Sequence, residues 1–325
     1  MASALRPYAL ALLYLVPLLG SEAGDYPHAV ERFDFDSQRQ ELSMVYMDVA
    51  PTTEQRGVFV LLHGKNFNGA YWQQTIAFLG QQGYRVIVPD QIGFGRSSMP
   101  AHYQFTFDQL AANTRALLDH LGVDRIHLMG HSMGGMLATQ FALQYPQMTE
   151  RLFLLNPIGL EDWRGLGVPY VPIERIYQSE LKKDFQSIKA YQRASYYDGD
   201  WQPRYEPWAR MLAAHYASEH GERFAWNMAL TADMVLSQPV VYQFDQLAMP
   251  TTLLIGLRDR TAIGRDLVDD ELAQRMGDYT TLGKRTAERI PQATLIEFDD
   301  VGHLPHIEAP ERYLDALAQS LGLDR

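Results

Sequence analysis

The feature that most constrains the fold is a repeated alternation of short apolar runs with longer amphipathic segments. Continuous apolar runs such as residues 57–62 are typical of strands covered on both faces. Segments with helical periodicity lie between them, which predicts a mostly parallel sheet flanked by helices. The predicted strands are residues 30–35, 42–49, 57–62, 84–88, 125–129, 152–155, 251–256 and 294–298, and the predicted helices are residues 71–82, 107–121, 133–143, 281–289 and 310–321.

The alternation is interrupted once, between residues 156 and 247. No short buried strand is visible there, and the segment is rich in aromatic residues and helical patterns. We predict a helical lid over residues 156–247, inserted after the sixth strand of an α/β core formed by residues 24–155 and 248–325. Most of the aromatic side chains are expected to form the core of the lid, and a minority to line a pocket.

The first residues of the chain differ in composition from the rest. Arg6 precedes an apolar run at residues 8–19, and Ser21 and Ala23 are small residues at the positions that a signal peptidase recognises. This pattern predicts a signal peptide over residues 1–23 and a periplasmic or secreted protein. The apolar run is shorter than the ~20 residues of a membrane span. We expect no stable membrane insertion after cleavage, with an uncleaved anchor as the alternative.

Composition excludes several classes of function. The net charge of −11 and the lack of a basic run argue against a nucleic-acid partner. The chain has no cysteine, which excludes disulfides and a catalytic thiol. No metal-ligand spacing or phosphate-binding loop is evident in the sequence, so we expect no cofactor.

A candidate nucleophile lies where a predicted strand runs directly into a predicted helix. The connecting residues, 130–134, spell Gly-x-Ser-x-Gly around Ser132. This pattern is typical of a nucleophile elbow, in which Gly130 and Gly134 are needed because larger side chains do not fit the tight turn. The Ser132 hydroxyl is then presented at the carboxyl edge of the sheet, near the first N–H groups of the helix.

A serine nucleophile needs an adjacent base and a group that orients this base. His303 follows the last predicted strand, and Asp259 follows the strand before it. The order Ser132, Asp259, His303 is the order expected for a catalytic triad on this type of sheet.

Other residues compete for these roles. Asp162, which follows the predicted strand at residues 152–155, is the alternative acid. His306 is expected to be a partly buried neighbour of the base, and Asp299 and Asp300 are expected to be solvated loop residues.

Taken together, these motifs resemble the α/β-hydrolase superfamily, in the branch of lidded esterases and carbon–carbon hydrolases. The matching residues cover nearly the whole chain outside the lid: His63-Gly64, Pro89-Asp90, residues 93–97, residues 130–134, Asp259, Gly302-His303 and Glu308. The resemblance implies an α/β-hydrolase fold and an oxyanion hole. Its donors would be the backbone N–H groups of Met133 and Lys65, with Asn66 as an alternative to Lys65.

The resemblance also bears on neighbouring side chains. His63 is expected to brace the oxyanion loop and Asp90 to hold its own loop. The charge of Lys65 is expected to face solvent, although it could instead favour anionic substrates. The candidates for substrate contacts are Asn66, His131 and Trp163, and the elbow geometry turns His131 away from the hydroxyl.

These features predict a serine hydrolase acting on carboxylic esters or lactones with an apolar part. Carbon–carbon hydrolases, amidases and aminopeptidases use the same triad and remain alternatives, as does a ligand-binding receptor with little turnover. Epoxide hydrolases and haloalkane dehalogenases resemble the chain in layout, but they carry an aspartate where this sequence has Ser132.

Overall fold

The computed structural model describes residues 25–323, and the predicted signal peptide lies outside them. Eight strands form one sheet in the order β1-β2-β4-β3-β5-β6-β7-β8. The strands are β1 (Val30–Ser37), β2 (Gln40–Val49), β3 (Gly57–Leu62), β4 (Tyr84–Pro89), β5 (Ile126–His131), β6 (Thr149–Leu155), β7 (Thr251–Gly256) and β8 (Ala293–Phe298).

The sheet is parallel apart from its first two strands. β1 pairs antiparallel with β2, and β2 pairs antiparallel with β4, whereas every later pair is parallel. The β1–β2 hairpin turns at Gln38 and Arg39, whose φ angles of 50° and 62° match a two-residue turn that follows the twist of the sheet. The predicted α/β-hydrolase fold with a mostly parallel sheet is confirmed.

Helices cover both faces of this sheet because the side chains of its central strands alternate between two apolar cores. Val60 of β3 packs with residues of the helices Phe107–His120 and Met133–Gln144, whereas Phe59 packs with residues of the helices Gln73–Gln81 and Pro310–Leu321. The helices are α1 (Gln73–Gln81), α2 (Phe107–His120), α3 (Met133–Gln144), α4 (Trp163–Leu166), α5 (Ile173–Glu180), α6 (Phe185–Ser195), α7 (Glu206–Ala217), α8 (Gly221–Ser237), α9 (Asp270–Arg275), α10 (Tyr279–Arg289), α11 (Pro305–Glu308) and α12 (Pro310–Leu321).

The chain between β6 and β7 contains α4 to α8 and no strand. We call residues 156–247 the helical insertion. Its backbone oxygens accept hydrogen bonds from loops at the carboxyl edge of the sheet: Ser195 from Arg260 N at 3.1 Å and Tyr196 from His303 N at 2.8 Å. The insertion therefore lies against the edge where the parallel strands end. None of the helices within residues 25–323 is long and apolar enough to cross a membrane.

Candidate active site

Ser132 lies between the end of β5 and the start of α3, in a backbone conformation unusual for a serine. Its φ is 57° and its ψ is −124°, a left-handed geometry held by the packing around it. A Cβ atom on Gly130 would lie 2.0 Å from Gly134 O, and one on Gly134 would lie 2.3 Å from Leu62 O. No residue larger than glycine fits either position, so the turn is fixed sterically with Ser132 at its apex.

His303 and Asp259 lie in the loops after β8 and β7 and form a buried pair. His303 Nδ1 donates to Asp259 Oδ2 at 2.5 Å, and both side chains are fully buried. Among the residues that the structure describes, His303 Nε2 has no hydrogen-bond partner. The ring of His303 is 4.7 Å from the ring of His131, the residue before Ser132. The pair thus lies beside the elbow, with one ring nitrogen free to accept a proton.

Asn156, which sequence reasoning did not identify, helps to hold Asp259. Its Nδ2 donates to Asp259 Oδ2 at 3.0 Å, and its Oδ1 accepts from Gly256 N at 2.9 Å. Thr261 N donates to the other carboxylate oxygen at 2.8 Å. Asn156 directly follows β6, with φ of 36°. A polar residue immediately after a buried strand, next to the strand that carries the acid, was the only available signal.

Asp162, the alternative acid, is engaged elsewhere. Its carboxylate caps α4 by accepting from Gly165 N at 3.0 Å, and it also accepts from the Tyr242 hydroxyl at 2.8 Å. Asp259, not Asp162, is therefore the carboxylate hydrogen-bonded to His303.

A chain of hydrogen bonds joins the loop after β3 to the loop that carries His303. Gly64 N donates to Tyr71 Oη at 3.0 Å, and Tyr71 Oη lies 3.0 Å from His131 Nδ1. His131 Nε2 lies 2.8 Å from His303 O. A neutral His131 with its proton on Nε2 satisfies every bond. Burial, with the nearby imidazoles of His303 and His306, holds the pKa of His131 well below its usual range.

This chain of bonds has two consequences for the predicted residues. Both ring nitrogens of His131 are occupied, so His131 supports two loops and offers no polar atom to a substrate. The Gly64 N–H is also occupied, which leaves the next amides, those of Lys65 and Asn66, as candidates for the oxyanion hole. A Cβ on Gly64 would lie 3.0 Å from Ser132 Cβ, so this loop runs directly beside the serine.

The side chains of Lys65 and Asn66 point toward the helical insertion. Lys65 Nζ is 3.6 Å from Met228 Sδ and 4.0 Å from Glu180 Oε1, and its side chain is 15% exposed. The expectation that Lys65 faces solvent is wrong, because α5 and α8 cover it. Asn66 Nδ2 donates to Tyr196 Oη at 2.7 Å.

Tyr196 brings the insertion into direct contact with the candidate base. Its ring stacks on His303 with centroids 4.5 Å apart, and its carbonyl oxygen accepts from His303 N at 2.8 Å. A Cβ on Gly302 would lie 1.9 Å from this oxygen. Sequence reasoning placed Tyr196 among the lid aromatics but could not show that it packs on the base.

Trp163 and His306 are buried packing residues. The indole N–H of Trp163 donates to Glu161 Oε1 at 3.0 Å, so it is already paired. His306 stacks on Trp72 with centroids 4.9 Å apart, and burial lowers its pKa to about 3. An imidazole that stays neutral and lies against an indole is a packing residue.

The remaining predicted residues hold loops. His63 Nδ1 donates to Gly64 O at 2.9 Å, and its Nε2 accepts from Gln91 N at 3.0 Å. Asp90 accepts from Gly69 N at 2.8 Å, from Arg96 N at 2.9 Å and from the Tyr26 hydroxyl. Asp299 and Asp300 are exposed.

Glu308 holds the loop of the candidate base. Its Oε1 accepts from Gly302 N at 2.9 Å. Burial raises the pKa of Glu308 to about 7, although the hydrogen bond from Gly302 favours the ionised form.

Comparison with known proteins places this geometry in a family. Residues 57–310 match the alpha/beta hydrolase fold family. The chain is 54% identical to a probable hydrolytic enzyme from Pseudomonas aeruginosa PAO1, whose crystal structure superposes with a TM-score of 0.90, and the match covers 91% of this chain and 95% of that one.

Curated relatives match over a shorter stretch. The chain is 31% identical over 133 residues to a 2-hydroxy-6-oxo-6-phenylhexa-2,4-dienoate hydrolase of Burkholderia cepacia, covering 40% of this chain and 46% of the relative. It is 33% identical over 148 residues to a putative carbamate hydrolase of Yersinia enterocolitica, covering 45% and 50%. The chain thus spans about half the length of these curated relatives. Fold, family match and full-length similarity together establish that the protein belongs to the alpha/beta hydrolase family.

Proposed function

We propose that this protein cleaves carboxylic esters or lactones through an acyl-enzyme formed on Ser132. The observation that carries the proposal is the buried His303–Asp259 pair, whose Nε2 has no partner in the described residues and which lies beside the left-handed Ser132. A serine hydroxyl becomes a nucleophile when a neighbouring imidazole takes its proton and a carboxylate orients that imidazole.

In the proposed reaction, Ser132 Oγ forms a bond to the acyl carbon while His303 Nε2 takes the hydroxyl proton. The tetrahedral intermediate collapses as the C–O bond to the leaving group breaks, and the alcohol departs with the proton from His303. Water then loses a proton to His303 and attacks the acyl carbon. The bond between Ser132 Oγ and the acyl carbon breaks, the acid leaves, and His303 returns the proton to Ser132 Oγ. Asp259 stays ionised and stabilises the imidazolium.

The oxyanion of this intermediate needs donors that are already in place. The N–H of Met133, at the start of α3, and the N–H of Lys65 are the proposed pair. What supports Lys65 is that the Gly64 N–H is bonded to Tyr71, while the loop passes beside Ser132. The donor is a backbone N–H group, so the Lys65 side chain is not needed for this role and can bind another group.

The same machinery could act on a different bond. Carbon–carbon cleavage is the second candidate, favoured by the partial match to the dienoate hydrolase of Burkholderia cepacia. Amide cleavage uses the same steps with an amine as leaving group. We place esters and lactones first because the aromatic-rich insertion, with Tyr196 against His303, fits a small molecule with an apolar part.

The test uses the purified protein, a fluorophosphonate probe and the variant Ser132→Ala. Wild type should be labelled and should hydrolyse members of a panel of p-nitrophenyl esters, lactones, aminoacyl amides and a dienoate ketone. Ser132→Ala should lose labelling, and its turnover should fall by about 10⁴–10⁶-fold. Undiminished turnover in Ser132→Ala would refute the mechanism. Tight ligand binding without turnover by wild type would favour a receptor.

We further propose, from residues 1–23, that the protein is exported. Expression of the full chain in a Gram-negative host, followed by fractionation and mass measurement, tests this. Cleavage after Ala23 and recovery outside the cytoplasm are expected; a full-length cytoplasmic product would contradict it.

A further inference from the structure

The helical insertion largely shields the Lys65 ammonium group from solvent, and the acceptors that it contacts among the described residues are weak or distant. An ammonium has three N–H donors, and burying it is costly unless they are paired. The nearest partners are Met228 Sδ at 3.6 Å and Glu180 Oε1 at 4.0 Å, and the Lys65 and Glu180 side chains are only 15% and 13% exposed. A thioether is a weak acceptor, and 4.0 Å exceeds hydrogen-bond length. The cation can therefore form strong hydrogen bonds that it does not make here.

The charges around Lys65 leave room for one more anion. Glu180 is shared, because it also accepts a hydrogen bond from the Tyr216 hydroxyl. Lys183 lies close enough to act on the same site: burial lowers the pKa of Lys65, Glu180 opposes this, and repulsion from Lys183 adds to it. A substrate carboxylate would give the Lys65 ammonium a closer acceptor than Glu180, whose Oε1 lies at 4.0 Å.

The position of Lys65 determines where on the substrate that carboxylate would be. The residue follows Gly64, which runs beside Ser132, and its backbone N–H is the proposed donor to the acyl oxygen. If the Lys65 N–H holds the acyl oxygen, the ammonium of the same residue lies within one side-chain length of the acyl carbonyl, so a carboxylate a few carbon atoms along the acyl chain can reach it.

We propose that Lys65 binds a carboxylate on the acyl part of the substrate, so that the preferred substrates are monoesters of short dicarboxylic acids. This inference rests on the proposed esterase function and adds its substrate class. In the complex the ammonium of Lys65 donates to the substrate carboxylate, while Glu180 keeps its hydrogen bond with Tyr216.

The experiment compares two esters of equal shape. Phenyl hydrogen glutarate carries a carboxylate where phenyl 5-methylhexanoate carries an isopropyl group, and both release phenol. The readout is the ratio of their kcat/KM values within each variant, which cancels general disturbance of the oxyanion loop. Wild type should favour the anionic ester by about tenfold or more, since a hydrogen bond to a charged group is worth about that factor. In Lys65→Met the ratio should fall by about 10–100-fold, mostly through KM.

Three further variants sharpen the result. Lys65→Arg should restore much of the preference, and Glu180→Gln should keep or increase it by removing a competing anion. Lys284→Met removes an exposed lysine of α10, whose side chain is 57% exposed, and should leave the ratio unchanged.

The two proposals fail in different ways. If neither ester is hydrolysed in a Ser132-dependent manner, the esterase function is wrong. If the neutral ester is hydrolysed through Ser132 but wild type shows no preference for the anionic ester, or Lys65→Met retains that preference, the inference about Lys65 is overturned while the esterase function stands.

Discussion

Asp259, which is fully buried, and Lys65, which is largely buried, are charged residues of the candidate site, but their surroundings differ. The carboxylate of Asp259 accepts hydrogen bonds from His303 at 2.5 Å, Thr261 N at 2.8 Å and Asn156 at 3.0 Å. Within residues 25–323, the ammonium of Lys65 contacts a sulfur at 3.6 Å and a carboxylate at 4.0 Å. One charge is fixed by the core, and the other meets the helical insertion with its donors poorly used.

In the proposed mechanism, this difference separates a group that supports the chemistry from a group that selects the substrate. A fully hydrogen-bonded acid costs no rearrangement during the reaction and orients the base in advance. Poorly paired groups pay a desolvation cost that a ligand can relieve. Gln192 of α6 is also poorly paired, since it is fully buried and both its side-chain amide atoms lack a partner among the described residues.

The largest effect in the comparison of Asp259 with Lys65 is expected from removing the charge of Asp259. Asp259→Asn should lower kcat by about 10⁴-fold, because a neutral amide no longer holds the imidazole in the productive tautomer. Asp162→Asn is the matched control and should retain nearly full activity, since Asp162 contacts Gly165 and Tyr242. Steady-state kinetics of both variants on one ester measure this difference in kcat. An inactive Asp162→Asn beside an active Asp259→Asn would reverse our assignment.

A smaller effect is expected when Asp259 loses one of the side chains that donate a hydrogen bond to it. Asn156→Ala removes a donor to Asp259 and should lower kcat by about 10–100-fold, because small misplacements of a catalytic group are costly. Asn66→Ala removes one hydrogen bond on the insertion side and should act mainly on KM, by about 2–10-fold. If both variants lost kcat equally, the core side of the site, at Asn156, and the insertion side, at Asn66, would not differ in their effect on the reaction.

The smallest effect concerns stability at the boundary between core and insertion. Glu308 is neutral in both states below its unfolded pKa of about 4.5, so Glu308→Gln should change little at pH 4. As pH rises from about 4.5 to about 7, the carboxyl ionises in the unfolded state but stays protonated in its buried place in the folded state, which favours unfolding. Wild type thus loses stability that the variant keeps, by about 1–2 kcal/mol at pH 8. Thermal unfolding at both pH values measures this difference; a variant less stable at pH 8 would contradict it.

Much of the core could be predicted because its signals are local. A continuous apolar run such as residues 57–62 has only one good environment, the middle of a sheet, and β3 spans the same residues. The elbow could be found because its sterics demand glycine at two fixed positions around Ser132. His303 and Asp259 were then located by strand order, and the structure pairs them at 2.5 Å.

The insertion side could not be predicted in the same way because its contacts are not local. Glu180 and Met228, which cover Lys65, lie far along the chain, and nothing near Lys65 in sequence indicates burial. Asn156 carries no motif, and its role depends on the adjacent β7 bringing Asp259 within reach. Tyr196 is one tyrosine among many aromatic residues of the insertion, and only the folded chain singles it out.

The main-chain carbonyl of Tyr196 restricts how the helical insertion can change without moving the candidate base His303. This carbonyl fixes the amide of His303 and leaves no space for a side chain at Gly302. A lid exchanged for that of a relative must therefore reproduce this one main-chain contact, or the base shifts together with the pocket. Directed evolution of the insertion should tolerate changes on α5 and α7 far more readily than changes of length between α6 and Tyr196.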